Sequence, residues 1–220
     1  MKNTDSQNKD SKKIFALIVL IATLMITETG ATYAWFALTA SNSTAIAGNA
    51  ATAALQLTIT KNAPTTVKPM VPQTEAGLGT AMNGTNKCQD GNLNTVCHVY
   101  TIAVKNNSTA GVKITSTIKF THSADVISNG SLTTKGMPNL KWRKTTNATT
   151  LGSNSTTDAS IITAQTIEAN KSLATGATAT YYIVIWINET GAAQSDTGTW
   201  SATIDVNSSA GGGLTSTITA

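Results

Sequence analysis

Two cysteines and two histidines are the side chains best suited to chemistry in this chain, and their spacing limits what they can do. Cys88 and Cys97 close the segment CQDGNLNTVC, with His98 directly after it and His122 further on. In an exported chain an even cysteine count reads as a disulfide. Asp90-Gly91-Asn92 is turn chemistry, so the bridge is expected to close a hairpin or loop, worth roughly 2–3 kcal/mol by chain-entropy reasoning. The alternative is a metal site, but a structural zinc takes four ligands, and beyond the cysteines and His98 only His122 offers itself. A redox C-x-x-C is absent, as are H-E-x-x-H, G-x-S-x-G, a phosphate loop, a Rossmann glycine pattern and an EF-hand loop. No catalytic, cofactor-binding or metal-binding residue is assigned, and no cofactor is expected.

The chain that must position these residues opens as an export signal. Lys12 and Lys13 precede an uncharged run, Ile14 to Ile26, in which Thr23 is the only polar residue. That run is shorter than the about 20 apolar residues a membrane span needs, and it suits the apolar region of a secretory signal. Thr32-Tyr33-Ala34 puts small side chains at −3 and −1 of a cut between Ala34 and Trp35. Residues 1–34 are therefore expected to be a helical signal peptide. The alternative is an uncleaved anchor, which would be the chain's one attachment to a membrane. Residues 35–50 follow as an arm without charge or proline, and residues 51–220 as one domain.

Removing residues 1–34 takes away four of the 15 basic and three of the 11 acidic residues, leaving a net charge of +3. Spread over about 190 residues this is no nucleic-acid footprint, which would gather Lys and Arg on one face. The one local cluster, Lys141-Trp142-Arg143-Lys144, reads as an exposed strand end. Thr, Ser, Ala and Asn dominate, and only 12% of residues are charged. Thr and the β-branched apolar residues favour pleated surfaces, while Ser and Asn favour turns. The composition is that of an all-β protein. It also suits a disordered Thr/Ser stalk, which the alternating segments argue against.

Leu55, Leu57 and Ile59 alternate with Gln56, Thr58 and Thr60 as a half-buried strand. Residues 62–85, with Pro64, Pro69, Pro72, Gly77, Gly79 and Gly84, read as a long surface loop. A strand is expected over 98–105 and a turn at Asn106-Asn107-Ser108. The alternating segment from Val112 to Phe120 would then complete a hairpin. Asn129-Gly130 is a turn signal, residues 140–144 a short strand, and residues 145–157 a solvated loop with no buried role. Ile161, Ile162 and Ile167 suggest a short edge strand before a turn at Gly176. The apolar run Tyr181 to Ile187 reads as a central strand buried on both faces. Trp200, Ala202, Ile204 and Val206 alternate in another strand, and Leu214 to Thr219 can form a last one. With no convincing helix after the signal, the expected fold is an all-β sandwich of jelly-roll type.

Two patches give the chain a family resemblance. Gly30-Ala31-Thr32-Tyr33-Ala34-Trp35-Phe36, then the arm and Leu55-Gln56-Leu57-Thr58, resembles the start of the TasA/camelysin family. The segment YYIVIWINETG (181–191) with Gln194, then Thr199-Trp200-Ser201-Ala202-Thr203-Ile204, looks like that family's closing hairpin. The resemblance implies a jelly-roll-like sandwich, a signal cut by a dedicated signal peptidase, and export to an extracellular fibre or biofilm matrix. It further implies head-to-tail homopolymers made by donor-strand exchange, alongside other matrix components. Trp35, Phe36, Leu38 and Ile46 are the arm's candidate anchors; the alternative is that the arm folds back on its own sheet, giving a monomer. Camelysin-like relatives are classed as metallopeptidases, so a secreted peptidase is one alternative. A monomeric cell-surface adhesin or carbohydrate-binding sandwich is another. Sequons occur at Asn42, Asn83, Asn106, Asn107, Asn129, Asn147, Asn154, Asn188 and Asn207. A chain so rich in Asn, Ser and Thr produces many by composition alone; in a glycosylating host they would be surface acceptors.

Overall fold

The computed structural model describes residues 43–49 (backbone course only), 54–66, 68–128, 131–160, 163–191, 194, 196 and 198–220. All of them fall within one unit, Thr39–Ala220. The expected signal peptide 1–34, the Ala34/Trp35 cut and the anchors Trp35, Phe36 and Leu38 lie outside the described residues, as do the sequons Asn42 and Asn129.

Alternating hydrophobicity builds two antiparallel sheets. One contains β1 (Ser43–Asn49), β2 (Ala54–Ala63), β3 (His98–Asn106), β10 (Thr178–Ile187), β7 (Leu140–Thr145) and β8 (Thr157–Asp158), paired in that order. The other contains β12 (Gly213–Thr219), β11 (Trp200–Ser208), β4 (Val112–His122) and β9 (Gln165–Leu173). A separate hairpin joins β5 (Val126–Ser128) to β6 (Ser131–Thr134). Between the sheets lies one core, to which β2 contributes Leu55, Leu57 and Ile59, β4 Ile114, Ile118 and Phe120, and β11 Trp200, Ala202, Ile204 and Val206. The all-β sandwich expected from the sequence is the fold observed.

β10 is central, between β3 and β7, and its residues from Ile183 to Ile187 are buried on both faces. Its outward face is covered because the expected loop 62–85 contains a helix, α1 (Glu75–Asn83). Thr74 caps it by accepting the Gly77 amide at 3.1 Å, and Leu78 and Met82, one turn apart, are buried. The glycines had read as loop; the cap and the i, i+4 apolar pair outweigh them. With Val96, Val99, Val184 and Trp186, α1 forms a second core. The loop 145–157 also departs from expectation, since Ala148 and Leu151 pack against that core.

Two expected hairpins are instead crossings between sheets. β3 pairs with β2 and β10, whereas β4 pairs with β11 and β9. At their corner Asn106 is buried, its amide nitrogen donating to the carbonyls of Ala110 (2.9 Å), Leu173 (3.1 Å) and Ala174 (3.2 Å). Its two amide hydrogens are shared among three carbonyls at the corner, of which that of Ala174 also accepts the Ala177 amide at 3.1 Å. Likewise, β10 and β11 belong to different sheets, so the patch read as a closing hairpin is a crossover; the closing hairpin is β11–β12.

Candidate functional site

Cys88 and Cys97 are disulfide-bonded, with Cα atoms 4.8 Å apart. The Val96 amide donates to the Cys88 carbonyl at 2.9 Å, so the bridge closes a small hairpin, as its turn residues predict. Asp90 organises the tip: its Oδ1 accepts the amides of Asn92 and Asn94, both at 2.8 Å. These bonds, with the side-chain donor of Asn94 the strongest influence, hold the Asp90 carboxyl below its ordinary range. Both cysteines are fully buried in the second core.

The histidines stand in the main core. The His98 ring meets Trp200 edge-on at 5.5 Å and stacks on Tyr100 at 6.3 Å. Burial, with Lys61 nearby, pushes its pKa down to about 3, so it is neutral at physiological pH. His122 Nδ1 lies 2.8 Å from Asp125 Oδ2, and the other Asp125 oxygen accepts the Gly136 amide at 2.8 Å. His122 thereby anchors the base of the β5–β6 hairpin to β4. The stem is tight: a Cβ on Gly136 would sit 2.7 Å from that of Ala124, and Gly198 adopts φ +88° against Ser123. Among the described residues no three His, Cys, Asp or Glu side chains gather as a metal-holding group.

The basic run is not the exposed strand end its sequence suggested. It lies in β7, between β10 and β8, and its cations meet three different carboxylates. Arg143 is buried, its Nη2 2.6 Å from Glu75 Oε2 at the start of α1, with Thr156 bonded to both. Lys144 pairs with Glu168 on β9, tying the two sheets together, and Lys141 stands 3.7 Å from Asp158. The signals available in the sequence were Thr74-Glu75, a helix start, and the alternation that puts Lys141 and Arg143 on one face of the strand and Lys144 on the other.

Of the sequons, Asn83, Asn107, Asn147, Asn154 and Asn207 are exposed and Asn188 is half-buried. Asn106 is no surface acceptor: it is wholly buried, with its amide nitrogen engaged at the sheet corner.

An open groove of about 430 Å³ lies at one end of the four-stranded sheet, lined by Thr121, Ser123, Thr199, Ser201 and Thr219 beside Trp200 and Ala220, with more apolar than polar surface. The sheet edges are the other surfaces able to engage a partner. β8 is two residues long. β9 is bulged where it meets β4, carries Glu168 and Lys171, and has Asn170 at φ +51°. Short length, bulges and charges all discourage strand addition. β12 and β1 have none of these features.

β1 is the second half of the arm. It pairs antiparallel with β2 over its whole length, from Ser43 opposite Thr60 to Asn49 opposite Ala54, with the backbone of Ile46 opposite Leu57. In this single chain that part of the arm lies on its own sheet, hydrogen-bonded to β2 alone among the described strands. No protein-family model matches the chain, and no curated protein matches it.

Proposed function

We propose that this protein is the exported structural subunit of an extracellular fibre or matrix, assembling head to tail by exchange of its N-terminal arm. The observation that carries the reading is β1: a seven-residue, uncharged edge strand bonded, among the described strands, to β2 alone and followed by it in the chain after residues 50–53. An edge strand of this kind leaves no gap in the sheet order when it departs, and the edge of β2 then offers the same ladder to another copy. Backbone bonds supply affinity in such an addition, and side-chain anchors supply register. The exchange is heterologous and does not close, so its product is a filament. The resemblance of the arm and its flanking signal to TasA-like proteins supports the same reading, as does the absence of a recognisable catalytic set in the sequence.

Deletion of Trp35 to Ala47 tests it. The truncated chain is expected to remain folded and soluble, to cap filament ends, and to fail to polymerise by electron microscopy. Fibres forming as readily without the arm as with it would overturn the mechanism.

A further inference from the structure

We propose that the outer edge of β12 is a self-association edge, on which two copies of this chain pair their β12 strands antiparallel about Ser216. The direction of its backbone groups comes first. The Ala220 amide donates to the Trp200 carbonyl at 3.3 Å and the Ser208 amide to the Gly212 carbonyl at 3.1 Å. In an antiparallel ladder bonded pairs alternate with non-bonded ones. With the observed register, Leu214, Ser216 and Ile218 therefore bond to β11, and Gly213, Thr215, Thr217 and Thr219 turn their N–H and C=O groups outward. The Thr219 carbonyl agrees, since it faces away from β11 and accepts the Tyr100 hydroxyl at 2.7 Å. Among the described residues, Thr215 and Thr217 have no backbone partner on that outer side.

No described strand is bonded to this edge, although β12 comes close to β1 and β2 of the other sheet. All four outward residues are exposed, and the strand has no charge, proline or bulge. Such an edge is a template for another strand, in contrast with the short β8 and the bulged, charged β9 of the same molecule. The second copy is identified as the occupant by the sequence of the strand. Leu214-Thr215-Ser216-Thr217-Ile218 reads nearly the same in both directions. Antiparallel pairing about Ser216 sets Leu214 opposite Ile218 on the core face and Thr215 opposite Thr217 on the outer face. Apolar and Thr–Thr cross-strand pairs are favourable ones. The parity also fits: Thr215 and Thr217, the residues whose backbone groups are free, become a bonded pair, repeated by the two-fold axis. The contact is isologous, uses one surface patch twice and closes as a dimer. It joins two four-stranded sheets into one continuous sheet. It needs no arm exchange, so it provides a lateral contact distinct from head-to-tail addition.

Residue-resolved amide exchange of the exported chain at dilute and high concentration tests the pairing. Association should slow exchange at Thr215 and Thr217 by ~10-fold or more, while Leu214 and Ile218, already bonded to β11, stay protected throughout. Thr217→Pro removes an outward N–H without touching the β11 ladder, and Thr217→Lys places a charge on the edge. Either variant that keeps the parent melting temperature should abolish the concentration dependence; Thr217→Lys serves if the proline variant does not fold. Exchange at Thr215 and Thr217 that ignores concentration, or association that survives both variants, overturns the proposal. A chain that forms fibres without protecting these amides overturns β12 pairing and leaves arm exchange standing. One that protects them without forming fibres does the reverse.

Discussion

His98 shows how a residue suited to chemistry can be held in a structural state. It is neutral at physiological pH because the core desolvates its cation, and Lys61 adds to the effect. In the unfolded chain a histidine titrates near 6.5, whereas here the value is pushed down to about 3. Above 6.5 neither state is protonated and the residue leaves stability unchanged. As pH falls below 6.5 the unfolded chain takes up a proton that the fold refuses, so stability is lost progressively down to about 3. The native carboxylates whose values are lowered, Glu75, Asp90 and Asp158, act only further down, as pH approaches their unfolded values near 4. Between pH 7 and 5 the melting temperature should therefore fall, and His98→Phe should flatten that slope, losing roughly 1–2 kcal/mol of pH dependence. Thermal melts in which the variant keeps the full slope would remove His98 as its cause. In sequence, His98 is a histidine beginning a strand; its parity with Tyr100, Ile102 and Val104 puts it on the core face, but the ring it meets there belongs to Trp200, about 100 residues later. Asn106 is similar, since a turn reading of Asn-Asn-Ser could not show that its carbonyl partners lie at 173 and 174.

At the scale of elements, period-two alternation made most strands legible, because one face of each meets the core and the other meets solvent. β2, β4, β11 and β12 follow their patterns residue by residue. Pairing was less legible. Alternation tells which face is buried, not which neighbour lies alongside, so β3–β4 and β10–β11 read as hairpins although each pair spans both sheets. The long connection Asn188–Thr199 was the available clue, as tight hairpins have loops of two to five residues. α1 was hidden for another reason: with nine residues and two glycines, it has too few turns for a strong periodic signal and too little intrinsic propensity to form alone. Its formation depends on the Thr74 cap and on burying Leu78 and Met82. Thr74→Ala should lower stability by about 1 kcal/mol, measurable by urea denaturation, whereas Thr80→Ala on the exposed side of α1 should have little effect. Equal effects from the two would show that the cap contributes nothing specific.

Across the whole molecule, β10 divides two cores of unequal size. Ile183, Ile185 and Ile187 face the sandwich, while Val184 and Trp186 face α1 and the disulfide hairpin. The cap is fastened at several points: the Gln73 amide donates to the Ile187 carbonyl at 2.9 Å, the Cys88 amide to the Ala81 carbonyl at 3.0 Å, and Arg143 reaches Glu75. The sandwich has its own continuous core and uses neither cysteine. Replacing both Cys88 and Cys97 by serine should therefore loosen the cap without dissolving the sheets. Losing the bridge over so short a ring should remove roughly 2–3 kcal/mol, with hydroxyls left among Val96, Val99 and Met82 adding to the loss. The double variant should melt at lower temperature, keep its far-ultraviolet β signal, and show increased quenching of tryptophan fluorescence as Trp186 becomes accessible. Trp142 and Trp200 lie in the main core and should stay shielded. An unchanged melting temperature would mean that the bridge constrains nothing the cap does not already hold. Loss of the β signal together with the cap would mean that the two cores fold as one, and that the sandwich depends on the helix covering its outer face.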